Sequence, residues 1–181
     1  MRNRIVTEGT SAFAERGFAG ASVREIAGRV GITQGRFFRY FHAKTALLDE
    51  VATLAIAQLI DVRDEVKALA RDEPDIRRFM QSYGRIIERH LHSHHAWYVL
   101  WLQRPPISEP RQLQLNAVSQ EICDLLAEGI AARSEIPDPD MVATVFNGAL
   151  FTGAMFSRIG FHETDSLATR IVDGCIVQHA S

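Results

Sequence analysis

Residues 22–41 read Ser22-Val23-Arg24-Glu25-Ile26-Ala27-Gly28-Arg29-Val30-Gly31-Ile32-Thr33-Gln34-Gly35-Arg36-Phe37-Phe38-Arg39-Tyr40-Phe41. Ser22 is a candidate N-cap with Glu25 three residues on, the spacing of a capping box, so a short helix is expected over 23–30. Gly31 stops it, because glycine tolerates a positive φ that a Cβ would oppose. Thr33 caps a second short helix, about 34–40. Two short helices meeting at a tight corner need a small residue inside the first, and Ala27 supplies it. They also need apolar residues facing a shared core. Ile26, Val30, Ile32, Phe37 and Tyr40 have that spacing.

Such a corner is the pattern of a helix-turn-helix, whose second helix enters the major groove of DNA. The charge distribution points the same way. The 181-residue chain carries a net charge of −2, yet residues 1–48 hold eight basic groups against three acids. That segment is +5 and the remainder −7. A basic head on an acidic body suits a polyanionic partner for the head alone. An ordinary helical hairpin would share the corner without needing the charge.

Working outward, nearly everything else reads as helix. Strand-type alternation is almost absent and no Asn-Gly or Asp-Gly hairpin signal occurs. A first helix is expected over 2–16, stopped by Gly17. A long one is expected over 44–70, with Leu48, Val51, Ala55, Leu59, Val62, Val66 and Leu69 as its apolar stripe. Helical pattern follows over 75–103, with a possible break near Ser93, then over 111–133, 140–159 and 165–178. The breakers between them are Arg104-Pro105-Pro106 and Pro137-Asp138-Pro139. The two cysteines, Cys123 and Cys175, are too few and too far apart for a disulfide scaffold or a Cys-based zinc module, which suits a reducing compartment. No apolar run reaches the length of a membrane span, and the N-terminus has no apolar segment of signal-peptide type. A cytoplasmic protein is expected.

The wider string sharpens the reading: Phe13-Ala14-Glu15-Arg16-Gly17-Phe18, Ser22-Val23-Arg24-Glu25-Ile26-Ala27, Gly31-Ile32-Thr33-Gln34-Gly35, Phe38-Arg39-Tyr40-Phe41 and Lys44-Thr45-Ala46-Leu47. In order and spacing it resembles the tetracycline-repressor (TetR) family of bacterial regulators over about residues 5–48. The resemblance implies an all-α homodimer of about nine helices. Residues 1–46 would form a three-helix DNA-binding domain, and residues 47–181 a helical effector-binding and dimerisation domain. It implies a repressor that binds a near-palindromic, double-stranded operator and is released by a small-molecule effector. Position by position, Thr33, Gln34, Gly35, Arg36, Arg39 and Tyr40 fall on or beside the recognition helix. Gln34 and Arg36 are candidates for base edges, since Gln can pair with adenine and Arg with guanine. Ser22, Thr33, Tyr40 and Lys44 are placed to reach phosphates, with Arg24 and Arg39 adding charge. Three departures stand out. Phe38 replaces a tyrosine common in the family and loses its hydroxyl. Arg36 stands where a small residue is common. Gly9, Thr10 and Ala12 weaken the apolar face of the first helix.

In the body, the helix over 140–159 is apolar nearly all round, with Gly148, Ala149, Gly153 and Ala154 allowing close approach. On its residues alone it would equally suit the core of a single chain; the resemblance implies that, together with 165–178, it forms a four-helix interface with a second copy. The aromatics Tyr83, Trp97, Trp101, Phe146 and Phe151 are the candidates to line an effector pocket. His90, His92, His94 and His95 invite a metal reading. His90 and His94, four apart, would share a helix face, but two histidines make half a site and no cysteine is near, so neither a metal site nor a cofactor is expected. No phosphate loop, nucleophile elbow or oriented acid–base pair suggests an enzyme. The rival is a helical small-molecule-binding or interaction protein without a DNA role, against which the basic head and the Ala27/Gly31 spacing argue.

Overall fold

The structure, a computed structural model, describes residues 1–156 and 166–176. Among the described residues every regular element is an α-helix, nine in all: α1 (Arg2–Gly20), α2 (Val23–Val30), α3 (Gln34–Phe38), α4 (Lys44–Asp72), α5 (Ile76–Ser93), α6 (His95–Leu102), α7 (Glu109–Ala131), α8 (Pro139–Phe156) and α9 (Leu167–Ile176). The helical stretch over 75–103 is interrupted where the break was expected: α5 ends at Ser93 and the backbone leaves helical geometry at His94. Of the expected helices over 140–159 and 165–178, residues 157–159, 165 and 177–178 lie outside the described residues.

The chain packs as two compact units. The first comprises residues 1–58 and 94–116; the second comprises 59–93 and the described residues from 117 on. The expected DNA-binding segment 1–46 lies wholly in the first unit, joined there by the beginning of α4 and by α6.

In the first unit α1 packs against α2 and α6. Ile5, Phe13, Ile26, Phe37, Leu47 and Leu48 are fully buried between the helices. Gly17 breaks the regular run of α1 with φ 72° and ψ 162°, which is where the sequence placed the stop. Gly9 does not weaken this packing. It is buried, and a Cβ there would fall 2.7 Å from Cδ2 of Leu47, so the missing side chain lets α1 approach α4. Thr10 donates its hydroxyl to the carbonyl of Val6 (2.9 Å), so its polar group is satisfied within the helix.

In the second unit α5 packs against α8 and α9. Asp75 and Asp138 each accept a hydrogen bond from a first-turn N–H, of Arg78 (2.8 Å) and Met141 (2.9 Å), and so open α5 and α8. Gly84 sits where a Cβ would fall 2.0 Å from Cβ of Ala168, so α5 and α9 are in backbone-close contact. Polar groups fasten the same pair. Glu88 accepts from the Ser166 hydroxyl (2.6 Å) and the Ala168 N–H (2.8 Å) at the start of α9, and Asp173 accepts from Arg77 (2.7 Å) and Gln81 (3.1 Å). Arg133 donates to the carbonyls of Glu73, Gly129 and Ala70 and lies over the ring of Phe79, holding the end of α7 to the end of α4.

Candidate nucleic-acid interface

The corner forms as the sequence dictates. The Ser22 hydroxyl accepts from the Glu25 N–H (3.1 Å). The carboxylate of Glu25 does not complete the box; it pairs instead with Arg29 (2.8 Å) and Arg16 (3.1 Å). Gly31 takes the left-handed conformation, φ 76° and ψ 35°. Its N–H donates to Gly28 O (3.0 Å) while Ile32 N–H reaches back to Ala27 O (2.9 Å). That pair of bonds is a Schellman motif, which satisfies the last carbonyls of α2 and turns the chain sharply. Thr33 then caps α3, its hydroxyl accepting from the Arg36 N–H (3.2 Å). Of the expected corner core, Ile26, Val30 and Phe37 are buried, while Ile32 and Tyr40 are half-exposed. Phe41 fills the place expected for Tyr40, its ring 5.8 Å from that of Phe37.

The cations of the head divide into two groups. Arg29 is bound by Glu15 (2.6 Å) and Glu25, Arg16 by Glu25, and Arg2 by Glu50 (3.0 Å). The guanidinium of Arg29 holds the Glu15 carboxyl below the ordinary carboxylate range, chiefly through their hydrogen bonds. Lys44 is also turned inward. Its ammonium donates to Phe18 O (2.6 Å), Ala21 O (2.8 Å) and Ala19 O (3.5 Å) and lies 4.4 Å from the centre of the Phe18 ring. By contrast, Arg24, Arg36 and Arg39 are exposed and form no ion pair among the described residues. Arg36, Arg39 and Tyr40 line a surface hollow of about 280 Å³. Ser22, Thr33, Gln34 and Gly35 are also exposed. No carboxylate occurs between Glu25 and Asp49 in the sequence, so α3 and its flanks carry cations, an amide and hydroxyls only. Such a surface can hold phosphates through its charges and present forked donors to base edges.

Comparison with known proteins agrees with this geometry. Residues 5–51 match the family described as bacterial regulatory proteins, tetR family. Over this segment the chain is similar to that family. Over 90 residues it is 28% identical to the HTH-type transcriptional repressor DhaR of Mycobacterium sp. (strain GP1), a stretch covering 49% of this chain and 44% of that protein. Over 47 residues it is 40% identical to the uncharacterized HTH-type transcriptional regulator YerO of Bacillus subtilis (strain 168), covering 26% of this chain and 16% of that one. The matches thus span less than half the length of either relative. The fold extends further. The TetR family transcriptional regulator PfmR from Thermus thermophilus superposes with a TM-score of 0.77 at 19% identity, over 96% of this chain and 94% of that one. The family matched by this segment is one of bacterial regulatory proteins.

The aromatics expected around an effector divide between the two units. Trp97 and Trp101 are on α6 in the first unit, their rings 5.7 Å apart. Tyr83, Phe146 and Phe151 are in the second. Tyr83 is fully buried and donates to Oδ1 of Asn147 (2.7 Å), with the Phe146 ring 6.3 Å away. Phe151 is half-buried on α8. The second unit also holds a cavity of about 540 Å³, of which Phe146 is the one expected residue in the wall. Met80, Met141, Val145, Ile171 and Val172 are among the other residues lining it. Apart from Phe146 the sequence did not mark these walls, since they combine α5, the segment before α8, and α8 and α9, which only the fold brings together.

His90 and His94 do not share a helix face as the spacing suggested, because α5 ends at Ser93 and His94 is the non-helical residue that precedes α6. His92 is bonded through Nδ1 to Glu88 O (2.7 Å). Among the described residues no three His, Cys, Asp or Glu side chains come together to hold a metal ion. Among the described residues, too, no helix is long and apolar enough to cross a membrane.

Proposed function

We propose that this chain is a cytoplasmic transcriptional repressor that binds a near-palindromic operator as a homodimer and is released by a small-molecule effector. The observation that carries the DNA reading is the sorting of cations on the head. Those that the fold needs are bonded internally, while Arg24 on α2 and Arg36 and Arg39 on and after α3 are left exposed. Gln34 and Arg36 are assigned to base edges. Ser22, Arg24, Thr33, Arg39 and Tyr40 are assigned to phosphates, with Gly35 allowing close backbone approach. Lys44 is assigned a supporting role, since its ammonium is occupied by carbonyls of the α1 end.

Dimerisation is assigned to α8 and α9. Met141 and Val145, one turn apart on α8, are 58% and 65% exposed, an apolar face that a second copy would cover. Both also line the 540 Å³ cavity, so a partner on this face would help close it. Among the described residues the cavity wall has no charged side chain, and its one hydroxyl, of Ser134, already donates to Ile130 O (2.8 Å). The effector assigned to it is therefore a neutral, hydrocarbon-rich molecule, because a charged group would be desolvated there without a partner. A shift of α4, continuous from Lys44 to Asp72, is the assigned route from effector to head; such coupling is typically worth about 1–3 kcal/mol.

The deciding experiment is selection of bound sequences from a random double-stranded DNA pool, with Arg36→Ala as control. The expected result is a near-palindrome whose half-sites lie about one helical turn apart, roughly 34–36 Å, with specificity relaxed in the control. No enrichment even at low salt would overturn the DNA reading. Release of the recovered operator by charged, polar molecules and not by neutral apolar ones would overturn the effector class.

A further inference from the structure

We propose that Phe38 reads the 5-methyl group of a thymine in each operator half-site. The inference rests on the DNA reading above and adds to it a specificity contact that the sequence pattern left out.

Phe38 closes α3 and is 50% exposed. Its neighbour Phe37 is fully buried and meets it edge to face, ring centres 5.5 Å apart at 88°. The exposed ring therefore leans on a fixed part of the core, which holds it in one direction. In the chain Phe38 stands between the exposed Arg36 and Arg39, with Gln34 earlier on the same helix and no carboxylate between Glu25 and Asp49.

An exposed phenyl ring amid uncommitted cations gains by being covered, and the cations select an anionic partner. Phosphates cannot use it, since it has neither donor nor acceptor. On the major-groove edge of DNA the one apolar group is the thymine methyl, and phenylalanine is among the side chains that suit it. Arg36 two residues earlier would then read guanine, so each half-site is expected to place a guanine and a thymine close together.

Replacing thymine by uracil removes the methyl and nothing else from the base pair. The probe is the operator recovered from the random pool, with each thymine of a half-site replaced in turn. The expected result is a loss of about three- to fivefold at one position per half-site, what one methyl-sized apolar group is worth, and no loss elsewhere. In Phe38→Ala, binding to the thymine operator falls by a similar factor and the uracil penalty at that position disappears. Phe38→Leu, which keeps an apolar side chain, retains part of it. Far-ultraviolet circular dichroism establishes that both variants are folded. A uracil scan without effect, or a penalty equal in wild type and Phe38→Ala, overturns the assignment while leaving the regulator reading intact. Failure of the wild type to bind any DNA overturns both.

Discussion

Lys44 and Arg36 are both cations of the head, and their surroundings give them opposite tasks. The ammonium of Lys44 meets carbonyls at the end of α1, where helical hydrogen bonding has run out and acceptors lack partners. Lys44→Met leaves those carbonyls bare, and hydrogen bonds to charged groups contribute about 1.5–3 kcal/mol. A loss of that size is expected in urea unfolding. Arg36→Ala, at an exposed position with no ion pair, is expected to change stability by less than about 0.5 kcal/mol while relaxing operator preference. Cys123 supplies a residue-scale test in the second unit. Burial pushes its thiol above its ordinary pKa, opposed by the weaker effect of the Asn147 amide donating to Sγ (3.4 Å). A raised thiol keeps its proton in the folded state after the unfolded chain has lost it. Its contribution to stability is therefore full below the ordinary thiol value, about 8.5, and lost as pH climbs beyond it. Alkylation of Cys123, followed by peptide mass spectrometry, is expected to be slow at pH 8 and to accelerate only above that range.

At the scale of elements, what was legible in the sequence is what local chemistry decides. Ser22, Gly31 and Thr33 fix the ends of α2 and α3 through bonds spanning five residues or fewer, so their pattern could be read directly. Gly31→Ala places a Cβ at φ 76° in open space, so only the left-handed backbone opposes it, at about 1–2 kcal/mol. The cost is expected as a lower urea midpoint with unchanged slope. Gly9 was not legible, because its meaning depends on Leu47, far along the chain. Gly84 is the same kind of residue. Gly84→Ala drives a Cβ into Ala168, 2.0 Å from its Cβ and 3.3 Å from its Cα, so α5 and α9 must part. Overpacking of this sort costs about 1–3 kcal/mol. The double variant with Ala168→Gly is expected to regain most of the loss, because it returns the volume to the other side of the contact. A double variant no more stable than Gly84→Ala alone would mean that the α5–α9 contact is not what Gly84 serves.

For the whole molecule, the sequence revealed a basic head and an acidic body, but not which cations are free. That division depends on where Glu15, Glu25 and Glu50 fall in space. The apolar character of α8 was equally plain, while the side it leaves bare was not. Met141 and Val145 are that side. If a second copy covers it, Val145→Asp sets a carboxylate in each protomer against the partner, with two desolvated charges and no cation to receive them. The side chain is exposed in the single chain, so the variant is expected to keep its helicity and its unfolding midpoint at low concentration. Sedimentation equilibrium should then find monomers where the wild type is dimeric. The consequence for DNA separates assembly from recognition. A half-site is bound by one head and should be bound by the variant as well as by the wild type. The palindrome is bound tightly only when the second head arrives with the first, since linking two sites converts the second event into an intramolecular one and raises overall affinity by about 10²–10⁴-fold. That gain is expected to vanish in Val145→Asp. Equal palindrome affinity in the two proteins would place the dimer contact elsewhere and return the exposed face of α8 to another partner.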